Sequence, residues 1–117
     1  MGMKVYEYNR CSTCRKALKY LDDKGVDYKA LDITEQAPSV AELKKMLKFY
    51  DGDIKRLFNT SGVQYRELKM KDKIKTIKKD DALKLLSGNG KLVKRPFLID
   101  KDFGIVGFKE DEWANHF

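Results

Sequence analysis

The chain has 117 residues, 25 Lys and Arg against 18 Asp and Glu for a formal charge of +7, with 42% hydrophobic and 37% charged residues. This is an ordinary globular composition for one domain, and the sequence carries no repeat or long heptad pattern and only two prolines, which excludes collagen, coiled coil and disordered tail. A chain of this size buries roughly two-thirds of its unfolded surface, so its two cysteines are free to be chemical rather than structural.

No apolar run approaches the roughly 20 residues of a membrane span. The start, Met1-Gly2-Met3-Lys4-Val5-Tyr6-Glu7, meets a charge before a secretory core could develop, so the expected compartment is the cytosol, with no membrane association. The lysine excess points to an anionic partner, whether nucleic acid, an acidic protein surface or a small anion.

Lys4 to Tyr8 alternates charged with β-branched and aromatic residues and predicts a short strand that ends at Asn9-Arg10. From Ser12, Cys14, Ala17, Leu18 and Leu21 fall at helical spacing, predicting a helix to Asp23 or Lys24 with Gly25 as its stop. Val26 to Ala30 alternates again, so the first 32 residues read as a βαβ unit.

Between about residues 33 and 94 helical periodicity dominates. Ser39-Val40-Ala41-Glu42 after Pro38 is a capping box, with Leu43, Met46 and Leu47 continuing the apolar face. Asp53–Phe58 and Asp80–Leu86 predict two further short helices. In the lysine-rich stretch Lys69–Lys79, Met70, Ile74 and Ile77 keep helix-like spacing, so most of its lysines read as a solvated face; no aromatic residue interleaves them to stack bases, and direct nucleic-acid binding is not expected. Gly88-Asn89-Gly90 closes the segment as a loop.

Phe97-Leu98-Ile99 and Ile105-Val106-Gly107-Phe108 flank a turn and predict a hairpin, and the acids of Glu110-Asp111-Glu112 begin a short final helix. The order βαβ, helices, ββα is that of an α/β thioredoxin-like fold with a central mixed sheet, one domain over residues 1–117 with a helical insertion at about 33–94.

Cys11-Ser12-Thr13-Cys14 lies where the first strand passes into the first helix. Helix-end amides and the macrodipole favour a thiolate at Cys11, and Arg10 and Arg15 push the same way. Cys14, on the apolar stripe, suits a resolving thiol that attacks a mixed disulfide on Cys11. A zinc site would have only Cys11, Cys14 and His116 as ligands, where a structural site wants four, so no metal is expected. Inert core cysteines would fit Cys14 but not Cys11, and a permanent disulfide would close too small a loop to constrain the unfolded chain. Arg95-Pro96 has two readings of equal weight: a cis proline facing the cysteine turn, with Arg95 beside Cys11 to pair with an oxyanion or carboxylate, or a surface arginine before an edge strand.

Cys11-Ser12-Thr13-Cys14-Arg15-Lys16, Phe58-Asn59-Thr60-Ser61-Gly62 followed by Tyr65-Arg66-Glu67-Leu68, Lys94-Arg95-Pro96 and Val106-Gly107-Phe108 together resemble the arsenate reductase ArsC/Spx family over essentially the whole chain. The resemblance is strongest to the small CxxC-containing ArsC-like proteins of low-GC Gram-positive bacteria. It implies a thioredoxin-like fold with a helical insert and a catalytic cysteine at Cys11. Glutaredoxin-linked arsenate reductases bind the oxyanion with an arginine matching Arg95 and two more. Asn59 stands where one of these would be, and the hairpin Ile105–Phe108 has no arginine for the other. Each missing charge-assisted contact would weaken oxyanion binding by about 1.5–3 kcal/mol.

The expected activity is therefore a thiol–disulfide oxidoreductase acting on a small thiol, disulfide or oxyanion substrate. Cys11 and Cys14 would be catalytic and form the redox disulfide, and Arg95, Arg15 and Asn59 would bind substrate. No bound cofactor is expected; an external low-molecular-weight thiol or a thioredoxin- or glutaredoxin-like partner would supply reducing equivalents. The alternative implied by the Spx branch is a redox-sensing transcription regulator that binds the C-terminal domain of the RNA polymerase α subunit, with Gly52 and Arg95 near the contact positions. Spx-like regulators usually continue past the position of Phe117.

Overall fold

The computed structural model describes residues 3–117; the sequence start at Met1 and Gly2 lies outside them. Four strands, β1 (Lys4–Glu7), β2 (Lys29–Asp32), β3 (Phe97–Ile99) and β4 (Gly104–Val106), form one sheet in the order β2-β1-β3-β4. β1 pairs with β2 in parallel and with β3 antiparallel, and β3 and β4 form the antiparallel hairpin. This is the mixed sheet of a thioredoxin-like fold.

Helix α1 (Ser12–Asp23) connects β1 to β2 and buries Cys14, Ala17 and Leu21. Its end follows from Gly25, whose φ of 69° is readily adopted only without a Cβ. Gly25 N–H then bonds the Asp22 carbonyl and Val26 N–H the Leu21 carbonyl, which satisfies the last turn. Because Val26 serves this helix end, β2 starts at Lys29, opposite Lys4, rather than at Val26 as the alternation predicts.

Between β2 and β3 the regular elements are helical: α2 (Val40–Phe49), a 3₁₀ turn at Ile54–Leu57, α3 (Val63–Glu67), α4 (Met70–Lys73), α5 (Lys79–Gly88) and a second 3₁₀ turn at Gly90–Leu92. Helix α6 (Glu110–Ala114) follows the hairpin. The lysine-rich stretch is less helical than its spacing suggests. Lys69 takes a left-handed conformation and α4 lasts four residues; a longer helix would set Lys71–Lys75 and Lys75–Lys79 as like-charged i,i+4 neighbours. Met70 is nonetheless buried and the lysines from 69 to 79 are exposed, a solvated face.

Strand alternation divides the core in two. Val5, Leu98 and Ile105 face α1 and α6, packing with Leu21 and Trp113. Tyr6, Phe97, Ile99 and Val106 face the inserted helices, packing with Leu43, Met46 and Leu86. β3 is buried on both faces, as a central strand should be.

The capping box of α2 ties the insertion to β1. Ser39 Oγ accepts the Glu42 N–H at 3.1 Å, and the Glu42 carboxylate accepts from Ser39 N–H at 3.1 Å, Tyr6 Oη at 2.7 Å and Lys4 Nζ at 3.2 Å. Burial opposes the Glu42 charge, but Tyr6, Ser39 and Lys4 together hold its pKa below the usual glutamate value. A carboxylate depressed on folding contributes stability above its unfolded pKa of about 4.3 and loses it as pH falls through the folded value. Glu42→Gln is expected to cost about 1.5 kcal/mol at neutral pH. In urea unfolding, the gap from the parent should close below about pH 4; a gap independent of pH would contradict the ionic role.

Candidate active site

Cys11 is the residue before α1, in an extended conformation, and its sulfur takes the position of an N-cap oxygen, accepting the Cys14 N–H at 3.3 Å. It is half-buried, whereas Cys14 is fully buried on the helix stripe, and both thiols are free. Burial would raise the Cys11 pKa, yet hydrogen bonds from the Cys14 thiol and N–H, the Arg95 charge and the Thr13 N–H outweigh it, leaving the thiol more acidic than usual. Cys14 is pushed up to about 12 by burial, by its hydrogen bond to Cys11 and by the Cys11 charge, against opposing effects of the Tyr8 backbone and Arg95.

The Arg95–Pro96 peptide is cis. The Arg95 guanidinium lies over the Tyr8 ring at 4.8 Å from its centroid, and its Nη1 is buried with no hydrogen-bond partner. Arg95, Asn59 and Cys11 line one cleft of about 470 Å³, so these three expected site residues come together. Arg15 does not join them: its Nη1 donates to the Asn9 carbonyl at 2.9 Å on the exposed side of the turn. The arginine whose charge lowers the Cys11 pKa is Arg95.

Sequence reasoning missed four contributors. Tyr8, read as the end of a strand, is the platform under Arg95. Arg56, Lys109 and Glu112 line the cleft from the first 3₁₀ turn, the residue before α6 and α6 itself. None of the four carries a local sequence signal; Gly107, with φ 72°, lines the same cleft two residues before Lys109.

A cysteine pair capping the first helix, opposite a cis X-Pro turn on this sheet, places the protein in the thioredoxin-like class. The chain belongs to the ArsC family, whose family model matches residues 6–116. It is 42% identical over 116 residues to the uncharacterized protein YusI of Bacillus subtilis, covering 99% of this chain and 98% of that one. The global transcriptional regulator Spx of Enterococcus faecalis is 29% identical over 108 residues, covering 92% of this chain and 80% of Spx. Among solved structures, an ArsC family related protein from Bacteroides fragilis superposes with a TM-score of 0.92 at 41% identity, covering 98% of this chain and 97% of that one. A structure described as a possible arsenate reductase, from Streptococcus mutans, gives 0.90 at 37% identity, with 98% of each chain covered. Relatives thus include proteins named as reductases, proteins named as regulators and proteins named as neither. Among the described residues, no helix is long and apolar enough to cross a membrane.

Proposed function

We propose that this chain is a cytosolic thiol–disulfide oxidoreductase of ArsC type, with Cys11 as nucleophile and Cys14 as resolving thiol. The reading rests on one observation: the Cys11 sulfur caps α1, within a cleft, beside an arginine that acidifies it. The Cys11 thiolate attacks one sulfur of a disulfide, whose S–S bond breaks, and the first arm leaves as a thiolate that takes a proton from water. Once Cys11 is bonded, its charge and its hydrogen bond no longer hold the Cys14 proton in place. Cys14 then gives that proton to solvent and attacks the Cys11 sulfur, releasing the second arm and closing a Cys11–Cys14 disulfide. Two electrons have passed to the substrate, and an external thiol returns them. Arg95 orients an anionic part of the substrate, and Asn59 offers it a neutral hydrogen bond.

The test is capture of the intermediate. In Cys14→Ser the adduct on Cys11 cannot be resolved, so mass spectrometry after exposure to a small disulfide should show a mixed disulfide on Cys11. Its absence would remove the nucleophile assignment.

The relatives named Spx favour a second reading, a redox-dependent regulator that binds the RNA polymerase α subunit. Retention of this chain by the α C-terminal domain in one redox state only would support it; no retention in either state would remove it.

A further inference from the structure

We propose, resting on the oxidoreductase reading, that the cleft selects a small disulfide bearing a carboxylate on each arm, with Arg56 and Lys109 as specificity-determining residues. Four cations, Arg56, Lys94, Arg95 and Lys109, line the cleft that holds Cys11, against one acid, Glu112. Among the described residues the ion pairs are Lys4–Glu42 and Lys19–Asp23, so none of the four forms an ion pair within 4.0 Å, and Glu112 offsets only part of their charge. Arg95 also carries the buried, unpartnered Nη1. Arg56 is held in place: its guanidinium lies 4.6 Å from the Tyr50 ring centroid, and the Tyr50 hydroxyl accepts the Val106 N–H at 2.9 Å. A stacked guanidinium keeps its in-plane N–H groups free for a carboxylate.

The family resemblance implies arginines at the position of Asn59 and within Ile105–Phe108, where this chain has none. Arg56 and Lys109 instead bring positive charge into the same cleft, three residues before Asn59 and one residue after Phe108. Beyond Arg95 and Asn59 lies a second cavity of about 360 Å³, shared with the first through those two residues and bordered by Tyr8, Val63 and Lys91. Two cavities that meet at Arg95, each with its own cation, fit a molecule with two similar charged arms joined at a sulfur pair. An uncharged substrate would leave these cations without a partner.

The first measurement does not depend on turnover. Cys11 alkylation rates with iodoacetate and iodoacetamide give a ratio that reports anion preference at the sulfur. In Cys14→Ser this ratio should exceed that of an unstructured cysteine peptide several-fold. It should fall about fivefold when Arg56→Gln and Lys109→Gln are combined in that background, and be restored by Arg56→Lys with Lys109 intact. A ratio equal to the peptide's, or unmoved in the double variant, overturns the proposal.

The second measurement compares 3,3′-dithiodipropionate, bis(2-hydroxyethyl) disulfide and cystamine as substrates. The expected order of kcat/KM is dianion, neutral, dication, compressed by added salt. Equal turnover of all three overturns charge selection and leaves the oxidoreductase reading standing. No turnover of any, with the alkylation preference intact, overturns the oxidoreductase reading and the disulfide substrate with it.

Discussion

Replacing Cys11 by serine is expected to lower disulfide turnover by about a thousandfold or more, because a hydroxyl at neutral pH supplies no thiolate and forms no mixed disulfide. The serine oxygen still accepts the Cys14 N–H in the cap, so the melting temperature should barely move. Loss of activity without loss of fold separates chemistry from structure. The pH dependence has a definite sign: only the thiolate reacts, so alkylation of Cys11 should rise with pH through a midpoint below the free-thiol value of about 8.5. Arg95→Ala removes a charge that favours the thiolate, and should move that midpoint up. A midpoint at the free-thiol value in the parent, or no movement in the variant, would contradict the electrostatics of the turn.

The largest stability effect is expected at Trp113. Its ring is fully buried, packs edge-on against Phe108 and Tyr20, and its indole N–H donates to the Gly107 carbonyl at 3.0 Å. Trp113→Ala should therefore cost about 3–5 kcal/mol, through the cavity and the abandoned carbonyl. That is a large share of the about 5–15 kcal/mol available to a domain of this size. Trp113→Phe keeps most of the volume and should cost less, about 1–2 kcal/mol for the lost donor and the smaller ring. Urea unfolding followed by circular dichroism would measure both. A cost below about 1 kcal/mol for the alanine variant would mean that α6 is not needed to close the α1 side of the sheet.

How far the sequence reached depended on whether a feature was local. The α2 capping box, the Gly25 stop and the cysteine turn are written in neighbouring residues, and the structure has them where spacing and cap chemistry place them. The start of β2 was not legible, because its register is set by β1 and by the use of Val26 at the helix end, facts of the folded chain. The same holds at the site. Cys11, Cys14 and Arg95 sit in recognisable short motifs, whereas Arg56 and Lys109 share a cleft only because the first 3₁₀ turn and the end of the hairpin converge on the cysteine loop. Arg15, adjacent to Cys14 in sequence, points elsewhere because the Asn9 carbonyl offers it a partner.

The Tyr50 hydroxyl has a second consequence, for assembly. β4 is an outer strand of the sheet, and its Val106 N–H, unused by β3, is the group through which another strand would add. Tyr50 occupies that donor from the end of α2. Outer strands left open invite pairing between molecules, and short length and blocked amides are the usual protection. The residue that steadies a cation in the Cys11 cleft thus also occupies a donor on one of the sheet's two margins, so loosening it would disturb the cleft and open that amide to strand addition.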